Sequence, residues 1–140
     1  MNYHRLSDGE WAIKLTPGDI INDSILAFAT SEGIKGGFLQ GIGAVASIEL
    51  GYFDREIGEY RFQRLDGDFE MLSVVGNLTT SGSGERILHI HGIFGKDDLS
   101  LVGGHIKSAV VSVTGEFYFR EGELPHRMKD SATGLMLWRI

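Results

Sequence analysis

Residues 36–54 read GGFLQGIGAVASIELGYFD. Apolar residues are interspersed with glycine, alanine and polar ones, as expected of extended chain, and two extended pieces meet near Val45–Ser47. Two turn signals follow. Gly58-Glu59 leads into YRFQRL (60–65), and Asp66-Gly67 leads into DFEMLSVVGNLTT (68–80). Asp-Gly is a strong turn pair because glycine takes positive φ freely. Further on, SGSG (81–84) reads as a loop, ERILHIHGIFG (85–95) as a strand and KDDLS as a turn. LVGGH (101–105) is another extended piece, and AVVSVTGEFYF (109–119) is a long strand interrupted by Gly115. The polar segment 121–133 reads as loop, and LMLWRI (135–140) as a strand closing the sheet. Upstream, residues 3–7 and 10–15 flank Asp8-Gly9 as a hairpin.

One helix interrupts the strands. Thr16 is a candidate N-cap, Pro17 suits the first helical position, and Asp19 falls where a capping box places its acid. Ile21, Ile25, Phe28 and Ala29 recur at helical spacing, and Gly33 suits a left-handed stop. The predicted helix spans about 17–32 and packs its stripe on the sheet. Strands joined by short turns, with one principal helix, predict an α+β fold with a mainly antiparallel sheet, as a single domain over 1–140.

Charge narrows the partners. Thirteen Lys and Arg stand against nineteen Asp and Glu, a net charge of −6. Affinity for duplex nucleic acid rests largely on basic groups neutralising phosphates. The densest basic stretch, Arg55–Arg64, is interleaved with Glu56 and Glu59 and flanked by Asp66. A solvated hairpin is therefore expected there, and direct nucleic-acid binding is not. With no cysteine, disulfides and thiolate ligands are both excluded. Neither a signal-peptide pattern at the N-terminus nor an apolar run of about 20 residues is found, so a cytoplasmic setting without a membrane partner is expected. Twenty glycines against two prolines suit the turns and bulges of a β-rich fold.

Three of the five histidines lie within ILHIHGIFGKDDLSLVGGHI (87–106). On a strand, His89 and His91 share one face, roughly 6.6–6.8 Å apart at Cα. His105 follows Gly103-Gly104, a pair that allows close backbone approach and is expected to turn the chain so that His105 lies over the other two. Three neutral imidazoles with an open fourth position form one known catalytic zinc arrangement. Imidazole also suits copper, iron and nickel, but zinc is the divalent metal expected here. Glu70, set among apolar residues in DFEMLSVVGN, is the candidate carboxylate to assist as acid, base or acceptor. Asp97 and Asp98 are assigned to a turn, and His4 and His126 to the surface. No phosphate loop is present: GIGAV leads into no helix, and SGSG lacks the Lys-Ser/Thr ending.

Taken in order, five strings resemble the plant-and-prokaryote-conserved (PPC, or DUF296) domain family. They are the TPGDI start at Thr16–Ile20, the 36–54 block, FEMLSVVGN at Phe69–Asn77, LHIHGIFG at Leu88–Gly95, and LVGGHIKSAVVSVTGEF at Leu101–Phe117. The resemblance implies a β-rich α+β fold assembling as a homotrimer, with the large sheets packed at subunit boundaries. It also implies that the His89, His91 and His105 pattern belongs to prokaryotic members suggested to hold a divalent metal. The chain carries no Arg-Gly-Arg-Pro AT-hook of the kind fused to plant members. Three functions follow as expectations: a metal-binding homotrimer, a regulatory or DNA-associated module that binds a partner protein or small molecule, and a metal-dependent hydrolase or lyase assisted by Glu70.

Overall fold

The 36–54 stretch forms one strand, β3 (Gly37–Asp54), that pairs on both sides. The computed structural model describes residues 1–140. Around β3 stand β1 (Asn2–Ser7), β2 (Glu10–Leu15), the helix α1 (Ile21–Ser31), β4 (Glu59–Thr80), β5 (Arg86–Gly95) and β6 (Leu101–Glu121). The antiparallel sheet runs β1-β2-β6-β3-β4-β5, and β6 also pairs with β5, so the four longest strands close on themselves. This is the expected α+β class. β7 (Arg127–Lys129) and β8 (Met136–Trp138) make a separate two-stranded sheet.

Several expectations on elements change. The helix begins at Ile21 because residues 16–19 are already committed to a turn. The Asp19 carboxylate accepts from the Thr16 N–H at 2.8 Å and the Thr16 hydroxyl at 3.0 Å, and Gly18 has φ +90°, outside helical range. Its end is as read. Gly33 has φ +71°, and Gly33 N–H and Ile34 N–H donate to Thr30 O and Ala29 O, a Schellman stop. Asp66-Gly67 does not reverse the chain. Ser47 pairs with Asp66 and Val45 with Phe69, so Gly67, at φ +128°, serves a bulge within a continuous β4. Gly103-Gly104 also lies inside a strand, since β6 runs unbroken through it. LMLWRI does not close the main sheet, because β8 pairs with β7.

Twenty-three buried apolar residues form one core between α1 and the sheet. Ile21, Ile25, Phe28 and Ala29 supply the helix side, all fully buried. Phe28 meets Trp11 and Phe119 edge-on at 5.3 and 5.6 Å. Directly opposed residues of an antiparallel pair share a face. Phe38, Asn77 and His89 are in register across β3, β4 and β5, as are Gln40, Val75 and His91. Those rows point away from the core. No helix is long and apolar enough to cross a membrane.

Candidate metal centre

The β5–β6 hairpin assembles the histidines. His91 and His105 are directly opposed across the two strands, and His89 lies two residues back on the same face of β5. The turn that achieves this is at residues 96–100, where Lys96 N–H donates to Ser100 O, rather than at Gly103-Gly104. The glycines instead permit strand contact: a Cβ on Gly103 would stand 2.8 Å from Gly92 O, and one on Gly104 2.9 Å from Gly51 O.

One ligand nitrogen from each ring lies within 4.8 Å of the others. The Nε2 atoms of His89 and His91 are 3.0 Å apart. Two nitrogens bound tetrahedrally to zinc at ~2.0–2.1 Å stand about 3.3 Å apart, so this pair needs only a small opening. His105 is set by Tyr60, whose ring centroid is 5.0 Å away, and its Nδ1 is buried without a hydrogen-bond partner. Burial, then the charge of Arg127 and the other two histidines, push His89 down to about 4, and burial also lowers His105. Both rings are therefore neutral at pH 7, the form that ligates a metal. The donor set fits a divalent ion that accepts imidazole.

The site has a member that sequence reading placed in a loop. Arg127, 5% exposed, donates from one terminal nitrogen to Met136 O at 2.8 Å, and from the other to Asn77 Oδ1 at 2.8 Å and His89 Nδ1 at 3.2 Å. Its guanidinium lies 5.6 Å from the Trp138 ring centroid, and Trp138 meets Phe38 edge-on. The β7–β8 hairpin thus caps the outer face of the sheet beside His89. A cavity of about 230 Å³ lies between them, lined by His89, His105, Arg127, Tyr60, Met136 and Leu137 among others. A lone arginine in a polar segment carries no spacing signal, so only the fold reveals it.

Glu70 is not brought to the histidines. It pairs with Gly95 at the far end of the β4–β5 ladder, while Val75 pairs with His91 five residues along β4, roughly 16–17 Å away at strand rise. It is exposed and lines a different cavity with Asp68 and Asp97. His4 and His126 are exposed as expected, although His126 Nδ1 meets the Thr80 hydroxyl at 2.8 Å. In the basic stretch Arg61 pairs with Asp54, and Arg64 pairs with Asp66 at 2.9 Å, so those charges are partly neutralised.

No curated protein sequence matches the chain. Among solved structures, a metal-containing protein from Archaeoglobus fulgidus is 36% identical, with TM-score 0.84 over 94% of this chain and 93% of its own. A PPC protein from Pyrococcus horikoshii is 28% identical, with TM-score 0.86 over 99% and 94%. A candidate DNA-binding protein from Bacteroides thetaiotaomicron shares the fold, at 24% identity and TM-score 0.92 over 99% and 96%. The Plants and Prokaryotes Conserved (PCC) domain profile matches residues 6–123. With the profile matching residues 6–123 and a 36% identical relative covering 94% of the chain, the chain belongs to the Plants and Prokaryotes Conserved domain family.

Proposed function

We propose that this single-domain protein holds one divalent metal ion, with zinc the expected ion, through His89, His91 and His105, and that it works as a homotrimer. The observation that carries the metal reading is the convergence of three imidazole nitrogens within 4.8 Å on one hairpin face. The metal-containing relative at 36% identity supports it. Bound there, a metal would supply a Lewis-acid centre. The chain's own groups keep His89 and His105 neutral, fix His105 against Tyr60 and leave His91 exposed to solvent.

The homotrimer is what the resemblance to the family implies; the outer face supports self-association, since Phe38, Ile42, Val75 and Ile93 are each about half exposed there, from 47% to 59%. Exposed apolar surface gathered on one face marks interaction sites.

Metal analysis of protein purified without an affinity tag tests the site. One equivalent of metal is expected in the native chain and none in His89→Ala/His91→Ala. Equal content in both proteins overturns the assignment.

A further inference from the structure

Four buried side-chain polar atoms lack a hydrogen-bond partner, and three of them belong to one neighbourhood: His105 Nδ1, Arg127 Nε and Trp138 Nε1. Buried polar groups are nearly always satisfied, so a cluster of exceptions needs an explanation. Arg127 Nε–H and Trp138 Nε1–H can only donate. His105 and Arg127 both line the cavity of about 230 Å³, and Trp138 lies against the guanidinium. For Arg127 Nε and Trp138 Nε1 what is missing is an acceptor.

Metal binding would sharpen that demand. Arginine is always a donor, so the 3.2 Å contact from Arg127 makes His89 Nδ1 the acceptor and leaves the ring proton on Nε2, shared with His91 Nε2. Were a metal held through His89 Nε2, the neutral ring would carry its proton on Nδ1, facing the Arg127 donor, and that nitrogen would need another acceptor.

The remaining walls decide its chemistry. Ile87, Leu88, Leu135, Met136 and Leu137 line the same cavity, so an acceptor attached to a small apolar body fits better than a fully hydrated ion. A planar carboxylate matches the guanidinium fork. We propose that Arg127 seats the carboxylate of a small apolar organic acid beside the three histidines. This deepens the metal reading and rests on the histidines being the centre.

The experiment titrates zinc-loaded and chelator-treated protein with butyrate, butyramide and inorganic phosphate. Thermal unfolding and the Arg127 Nε–H nuclear magnetic resonance signal are followed, and a separate calorimetric titration measures zinc alone. Butyrate is expected to raise the melting temperature saturably at millimolar concentration and to shift the Arg127 Nε–H signal. Butyramide should do neither, and phosphate should act at least tenfold more weakly. Arg127→Lys should weaken butyrate binding at least tenfold, and the native-chain resonance decides the matter if that variant does not fold. Equal action of butyramide, equal action of phosphate, or an Arg127 signal unmoved at saturation each overturns the proposal. Zinc binding without a butyrate response sinks this inference alone, whereas a butyrate response without zinc binding sinks the metal reading alone.

Discussion

His89 is the residue whose environment departs furthest from that of a free side chain. It sits between the hairpin cap and the sheet, with Arg127 at one ring nitrogen and His91 at the other. Folded, it stays neutral down to about 4, whereas an unfolded imidazole takes a proton near ~6.5. Between those values the unfolded chain binds more protons, so stability falls as pH drops through that window. Thermal unfolding of chelator-treated protein at pH 7.5, 5.5 and 4.5 should show a falling melting temperature, and His89→Gln should flatten the slope. An unchanged slope in the variant would place the titration elsewhere. Loaded protein should lose its metal over an acid range too, since protons and metal compete for the same nitrogens. The histidines were legible in the sequence because the two-residue spacing on a strand fixes a shared face. Arg127 was not, because its meeting with His89 depends on where β7 docks, and no local pattern encodes that. Glu70 misled for a related reason: its apolar neighbours mark a strand and say nothing about position along it.

At the scale of elements, the site depends on how closely β4 and β5 run. Gly76 pairs with Ile90, and a Cβ on it would lie 2.1 Å from the His89 carbonyl oxygen and 2.8 Å from Ile90 Cα. Neither obstacle is a flexible side-chain end, so the strands must separate. Gly76→Ala should cost about 2–3 kcal/mol, in the range of overpacking, and should weaken metal binding by moving His89. Chemical denaturation checks the first and calorimetry the second; a variant of native stability would show that β5 yields freely. The same strands explain what sequence reading divided. It saw breaks at Asp66-Gly67 and Gly103-Gly104, where the chain runs on as strands of 22 and 21 residues. Glycine signals a turn and a bulge alike, and only the register of the neighbouring strand separates them. The α1 stop at Gly33 was readable because its Schellman bonds are local, whereas the delayed start reflects Asp19 being captured by Thr16.

For the whole molecule, the question is what covers the outer face. Phe38, Ile42, Val75 and Ile93 lie there together with the exposed His91, while the core is complete without them. Self-association through this face would remove apolar surface from water and would bring a neighbouring subunit close to the proposed metal centre. Light scattering after size exclusion should give three times the 15.4 kDa chain mass. Duplex DNA should give no gel shift at micromolar protein and about 150 mM salt, given the net charge of −6 and the ion-paired arginines of the β3–β4 hairpin. The more discriminating variant is Ile42→Glu/Val75→Glu. Both side chains are at least half exposed, so the subunit itself should unfold within about 0.5 kcal/mol per site of the native chain once compared at equal assembly state. Like charges brought together at a subunit boundary cannot be buried cheaply, so the variant should run as a monomer. A trimer that survives both substitutions would place the contact on another surface, and a native chain that already runs as a monomer would remove the trimer altogether.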